Sequence, residues 1–323
     1  MLYKIAVVGY GNLGKAVESV VQNNKNFKLE KIFSRRKNQK SPYNTSFDLI
    51  ENIDKYKGKI DLLFVTLGSY NDIEKYGYNL AKNFNTIDSF DTHAKLKDYL
   101  LDLDKIAKES KKVCLSAFGW DPGLMSLMRV LFDSIDQKTC SNCFWGKGVS
   151  QGHSDAIRRV EGVENAIQYT VPKKDILSLS RKLYDYSPNN EDKHDRVCFV
   201  SLKNSADKKV VKSKIQTMPN YFDKYNTQVN FVTNSQILSR QKNLSHKGFI
   251  FKNFKINDKY KTKMYFSLNL QSNPYFTAKI MLMGASAVAN LLSQKSYGAY
   301  SILDIPVSYF SLLPREQLLS TKL

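Results

Sequence analysis

The stretch Lys4-Ile5-Ala6-Val7-Val8-Gly9-Tyr10-Gly11-Asn12-Leu13-Gly14 decides how the first half of this chain folds. A short β-branched run ends in glycine, and an apolar series at helical spacing (Leu13, Val17, Val20, Val21) starts at once. Strand, glycine turn and helix in immediate succession open a βαβ unit. Each glycine has a separate task in such a turn. Gly9 permits the tight turn, Gly11 leaves the helix N-terminus uncovered, and Gly14 lets helix and strand approach closely. Uncovered N–H groups at a helix N-terminus suit a pyrophosphate.

Outward from this turn the alternation continues. Residues 29–33 read as a second strand. Residues 61–67 (DLLFVTL) form the nearly unbroken apolar run of a strand buried on both faces. Residues 86–89 and 112–116 read as further strands. The order predicts an α/β, doubly wound parallel sheet of the Rossmann type over residues 1–119. The pattern changes after Trp120. Residues 143–145, 166–171, 196–202, 228–232 and 264–270 read as longer strands, and the polar stretch 182–195 reads as a surface loop. Residues 120–273 are therefore expected to form a second, α+β domain. Residues 277–292 are apolar and small, as in a buried helix, and the segment 274–323 is expected to pack back on the first domain. A chain of 323 residues with 42% hydrophobic content exceeds what one core fills.

The end of the second strand selects the nucleotide. Enzymes that use NAD place a carboxylate there to bond the ribose 2′-hydroxyl. This chain has Ser34-Arg35-Arg36, a hydroxyl and two guanidiniums, which suit the 2′-phosphate of NADP. Gly68-Ser69 ends the third strand, where backbone passes close to such a nucleotide.

The formal net charge is +19, yet the basic residues are scattered, with the densest groups at 35–40, 203–214 and 252–263. No helix-turn-helix or zinc-finger pattern accompanies them, so the charge reads as a lysine-rich surface and no nucleic-acid partner is expected. Arg158-Arg159 is expected to pair along a helix face with Glu161 and Glu164. No run of about 18 apolar residues is present to span a membrane, and Ile5 to Val8 is too short for a signal peptide, so the expected compartment is the cytoplasm. Cys140 and Cys143 have C-x-x-C spacing but lack a second ligand pair, so no metal site is expected and the four cysteines read as reduced thiols.

Longer motifs carry a more specific likeness. VVGYGNLG at 7–14, FSRR at 33–36, FGWDPGL at 118–124, FWG at 144–146, SQGHSDAIRRVEGV at 150–163, QYTVP at 168–172, TMPNYF at 217–222 and NPYFTA at 273–278 together resemble the meso-diaminopimelate D-dehydrogenases, nearly end to end. The resemblance implies NADP-dependent oxidative deamination of the D-centre of meso-2,6-diaminopimelate. The products would be L-2-amino-6-oxopimelate (the open form of tetrahydrodipicolinate), ammonia and NADPH, reversibly, in lysine biosynthesis. It implies a homodimer, with the second domain serving substrate binding and dimerisation.

It also implies nucleotide contacts at Gly9, Tyr10, Gly11, Asn12, Leu13 and Gly14, then at Ser34, Arg35 and Arg36, and at Gly68, Ser69 and Tyr70. Further nucleotide contacts are implied at Phe90, Asp91 and Thr92, and along Gly119, Trp120, Asp121, Pro122 and Gly123. Substrate contacts are implied at Asp91, Asp121, Trp145, Gln151, Gly152, Thr170, Arg196, His246 and Asn273. Three departures stand out. Phe118 occupies a position where threonine is expected, Tyr275 one where aspartate is expected, and Ser245-His246-Lys247 replaces a stretch richer in Pro and Gly.

The chemistry fits the residue types. A substrate with two ammonium and two carboxylate groups needs carboxylates for the first and fixed donors for the second. Asp91 and Asp121 are the candidate catalytic pair for the reacting amine, Arg196 can fork onto a carboxylate, and Thr170, His246 and Asn273 can donate. His93 and His153 are assigned no catalytic role. The alternatives are another NADP-dependent amino-acid or small-molecule dehydrogenase of the same two-domain build, or a non-enzymatic NADP-binding regulator. The Glu-Lys-Pro segment of sugar dehydrogenases and the His-His-rich segment of dihydrodipicolinate reductases are both missing.

Overall fold

The computed structural model describes residues 2–22, 24–68 and 72–323. They fall into two compact units, Met1–Ser126 with Pro274–Leu323, and Leu127–Asn273.

The first unit is built on β1 (Tyr3–Val8), β2 (Phe27–Ser34), β3 (Phe47–Leu49), β4 (Leu62–Val65), β5 (Thr86–Asp88) and β6 (Val113–Leu115). The sheet runs β6-β5-β4-β1-β2-β3, with a further strand, Gly298–Tyr300, outside β6, and its strand pairs are parallel. The chain winds outward from β1 to β3 and then crosses back to β4. The carboxyl ends of β1 and β4 therefore flank the switch point at which folds of this kind bind ligands. This is the Rossmann-type sheet that the alternation predicts. Its central strands are apolar without a break because both faces are covered. Ala6, Val8, Leu63 and Val65 share one core with Phe33, Ile53 and Leu80, while Ile5, Val7, Leu62 and Phe64 point the other way and are equally buried. The short strands β3 and Gly298–Tyr300 lack such an apolar run, and neither is legible in the sequence.

Helix α1 (Asn12–Val21) follows the glycine turn. Helices α2 (Asp72–Ala81) and α3 (His93–Glu109) help build a second core through Ile73, Ala81, Tyr99 and Leu103. Asn273–Ser293 is long and apolar enough to cross a membrane by length and composition. Its packing instead makes it a core helix: a methyl on Gly284 would lie 2.5 Å from Ile87 and 2.6 Å from Phe118.

The second unit holds β7 (Asn142–Trp145), β8 (Gly148–Ser150), β9 (Val163–Pro172), β10 (His194–Leu202), β11 (Asn226–Phe231), β12 (His246–Lys255) and β13 (Lys261–Leu270). They form one sheet ordered β11-β10-β9-β8 and a second ordered β13-β12-β7. Two expectations are corrected here, and one strand is added. First, the strand: β12 is a full ten-residue strand that its lysines conceal in the sequence. One of them, Lys252, is buried, with its ammonium on the Thr139 carbonyl and near Asp133 and Asp136. Second, residues 182–195 are not simply a surface loop, because Lys193 and His194 are buried and β10 starts at His194. Third, Arg158 and Arg159 pair with Asp155, three and four residues back. Glu161 goes to Lys214 and Glu164 to Asn234, since the helix ends at Arg158 and carries both glutamates off its face.

Candidate functional site

In the first unit the glycine turn is closed by the sheet beneath it. Gly9 has φ +101°, and a methyl on Gly14 would come within 2.2 Å of the Gly9 carbonyl oxygen. The Thr66 hydroxyl, just past β4, donates to that same carbonyl at 2.7 Å. Gly11 differs: among the described residues nothing lies within 4 Å of where its Cβ would be, so their packing does not explain it. Space beside a helix N-terminus, with a glycine in place of a wall, fits a pyrophosphate.

The basic turn meets the glycine turn directly. Ser34 is buried and its hydroxyl accepts the Arg36 N–H at 3.0 Å. Arg36 reaches back to donate to the Tyr10 carbonyl at 2.9 Å. Arg35 points elsewhere, paired bidentately with Asp72. Gly68 accepts the Asp72 N–H at 3.1 Å, while Ser69 and Tyr70 lie outside the described residues.

Asp88, which the sequence reading missed, organises the other edge. Its buried Oδ1 accepts the Phe90 N–H (2.9 Å), the Ser116 hydroxyl (2.7 Å) and the Ala117 N–H (3.2 Å), and Tyr99 donates to Oδ2 at 3.3 Å. The Phe118 N–H donates to its carbonyl. Burial raises its pKa and the four donors oppose that. One residue thus ties together the segments that carry Asp91 and Asp121. Phe90 turns its ring into the core against Tyr99, so only its backbone can face a ligand. Thr92 and Trp120 are buried, and Asp91 and Asp121 are half-buried. Asp121 sits in a turn that Gly119 and Gly123 close; a methyl on Gly123, at φ +132°, would lie 1.9 Å from the Gly119 oxygen. Pro122, cis to Asp121, completes it. Phe118 points away from this turn into the core, against Phe310 and the Gly284 gap, so that departure does not alter the site's lining.

In the second unit β9 and β10 place Thr170 directly opposite Arg196, and Arg196 donates to the Thr170 hydroxyl at 2.6 Å. The guanidinium lies over the Tyr225 ring at 4.1 Å, and its Nε is buried with no partner. Among the described residues no carboxylate pairs with it, and burial lowers its pKa. On the other side of Thr170, Gly148 leaves room for His246, whose ring a methyl there would meet at 2.3 Å. The register thus lines up Arg196, Thr170 and Gly148 across three neighbouring strands, with His246 packed on the glycine. Trp145 is fixed by its N–H, which donates to Nε2 of buried His194 at 2.8 Å, and its ring lies 4.9 Å from that imidazole. Gln151 and Gly152 open the helix Gln151–Arg158, capped by Ser150, and Asn273 opens the helix Asn273–Ser293, its N–H on the Leu244 carbonyl. His153 bonds Ser150 and packs between Tyr221 and Phe222, a structural role. Cys143 accepts from Arg129 while Cys140 is exposed. Tyr275 is exposed on the helix surface.

Residues 119–272 match the family model described as the diaminopimelic acid dehydrogenase C-terminal domain. The meso-diaminopimelate D-dehydrogenase of Ureibacillus thermosphaericus is 40% identical over 310 residues, 95% of each chain. The chain belongs to the meso-diaminopimelate D-dehydrogenase family. Among solved structures, an engineered D-amino acid dehydrogenase bound to NADP+ matches all of both chains with a TM-score of 0.95 at 29% identity. A Clostridium tetani family member with DAP matches 99% of each chain, at 39% identity and a TM-score of 0.89. That protein is a mutant at a Gln, a Thr, an Arg, a Pro, a His and an Asn. Their types and spacing coincide with Gln151, Thr170, Arg196, His246 and Asn273 here, with Ser245 at the proline position.

Proposed function

We propose that this protein catalyses the NADP-dependent oxidative deamination of the D-centre of meso-2,6-diaminopimelate, giving L-2-amino-6-oxopimelate, ammonia and NADPH, reversibly. Family membership across 95% of the chain supports the reaction, and the NADP+-bound relative supports the cofactor. The observation that carries the substrate end is Arg196, a buried guanidinium whose Nε–H has no partner and which no carboxylate pairs with among the described residues. A buried cation is costly until an anion meets it, and a substrate carboxylate is such an anion. Thr170 and His246 add donors beside it.

NADP supplies the acceptor for the hydride that leaves the D-carbon. The protein's part is binding and orientation. Gly9, Gly11 and Gly14 shape the pyrophosphate turn, Ser34 and Arg36 bind the 2′-phosphate, and Arg35 contributes its charge to that turn while paired with Asp72. Asp91 and Asp121 hold the reacting ammonium and accept its protons, directly or through water, as the imine forms and is hydrolysed. Trp145, Gln151, Gly152 and Asn273 are the remaining substrate contacts of this reading. The half-buried Met264, Phe266 and Leu268 on edge strand β13 support a homodimer through the second domain, to be checked by sedimentation. The four free thiols support a cytoplasmic location, to be checked by fractionation. NADPH formation with the meso, LL and DD isomers tests the reaction, and equal rates on all three would overturn it.

A further inference from the structure

We propose that Glu18 is a specificity-determining residue. It locks the loop that follows the basic turn onto the glycine turn, and so sets the preference for NADP over NAD. The proposal rests on the reading of Ser34–Arg36 as the 2′-phosphate site.

Glu18 lies one turn beyond Gly14 on α1 and is fully buried. A buried carboxylate is expensive unless its oxygens are bonded. Both are bonded here, and by hydroxyls rather than by a lysine or arginine. Oε2 accepts from the Tyr10 hydroxyl and Oε1 from the Ser41 hydroxyl at 2.5 Å. The two donors come from the two segments that matter. Tyr10 is the second residue of the glycine turn, and Ser41 sits five residues beyond Arg36.

The bonding pattern fixes the direction of both contacts. The Ser41 oxygen already accepts the N–H groups of Tyr43 at 2.9 Å and Thr45 at 3.1 Å, so its lone pairs are occupied and its proton must go to Glu18. Burial, reinforced by Glu18, raises the Tyr10 pKa and keeps its hydroxyl a donor. The same tyrosine anchors the loop at both ends. Its carbonyl takes the Arg36 guanidinium at 2.9 Å, and its ring meets Phe47 edge-on at 5.0 Å where the loop enters β3.

The 2′-phosphate is the only group that distinguishes NADP from NAD, and the basic turn is the part of the unit assigned to it. A loop that shifts when Glu18 is altered therefore costs NADP affinity and leaves NAD almost untouched. Glutamine cannot replace the carboxylate fully. Its amide would have to donate to one of two hydroxyls, and Ser41 has no lone pair left to accept.

The experiment measures kcat/KM with NADP and with NAD for the intact enzyme, Glu18→Gln, Ser41→Ala and Arg36→Ala, together with Tm. The expected result is that Glu18→Gln and Ser41→Ala each lower the NADP-to-NAD ratio by about tenfold. The change should fall on the KM for NADP, with kcat at saturating NADP and the KM for meso-diaminopimelate held. A lowered Tm with an unchanged ratio would make Glu18 merely structural and overturn the proposal. If Arg36→Ala also leaves the ratio unchanged, the reading of the basic turn fails, and the proposal fails with it. If only Arg36→Ala lowers it, the turn is read correctly and Glu18 is not its anchor.

Discussion

Arg35 grips Asp72 through two N–H···O bonds of 3.2 and 2.9 Å, while its neighbour Arg36 donates to the Tyr10 carbonyl at 2.9 Å. Two arginines that look equivalent in sequence are thus unequal. Two of Arg35's donors are committed to a buried aspartate. Arg36→Ala is expected to raise the KM for NADP by at least about tenfold, and Arg35→Ala by clearly less. Kinetics with NADP and NAD on both variants checks this. Equal losses would mean that the Asp72 pair opens when the nucleotide binds.

At the far end of the substrate, Arg196→Lys keeps the charge but loses the planar fork and the stacking over Tyr225. The expected outcome is a fall in kcat/KM for meso-diaminopimelate of about tenfold or more, with NADP affinity unchanged. Steady-state kinetics and a fluorescence titration of NADPH separate the two quantities. Unchanged kinetics would leave Arg196 with a structural role only.

At the reacting end, Asp91→Asn and Asp121→Asn remove charge at constant size. Each is expected to cost at least about 1.4 kcal/mol in kcat/KM, a factor of ten, because the ammonium loses a counter-charge and its proton an acceptor. NADP binding should hold. Near-normal activity in both variants would reduce the aspartates to turn residues and move proton handling elsewhere.

His194 makes stability depend on pH. Burial first, then the nearby charges of Arg196 and Lys193, push it down to about 2 from its ordinary 6.5. The folded protein therefore keeps it neutral, while the unfolded chain takes up a proton below 6.5. The stability this provides is complete above about pH 6.5 and is lost as the pH falls toward 2, by at most about 1.4 kcal/mol per unit. In His194→Asn, whose amide oxygen can still accept the Trp145 N–H, the drop in Tm between pH 6.5 and 4.5 should be shallower. Parallel curves for the two proteins would remove His194 as the cause.

The sequence by itself determined the first fold and the cofactor. Strand order, the Gly9-Tyr10-Gly11-Asn12-Leu13-Gly14 turn and Ser34-Arg35-Arg36 are local patterns. Glycine conformation and charge act over a few residues, and the unbroken apolar runs record burial on both faces. The long helix Asn273–Ser293 was legible for the same reason. What only the tertiary structure decided are pairings between residues far apart in the chain. Lys252 becomes a buried strand residue because Thr139, Asp133 and Asp136 receive its charge. His194 leaves an apparent loop to hold Trp145, 49 residues away. Asp88 binds the Phe90 and Ala117 segments together, and Glu18 joins Tyr10 to Ser41. Each is a polar residue whose burial is tolerable only because distant donors or acceptors converge on it. Hydrophobic periodicity carries no trace of that, so a sequence shows where such a residue lies but not which distant groups will meet it.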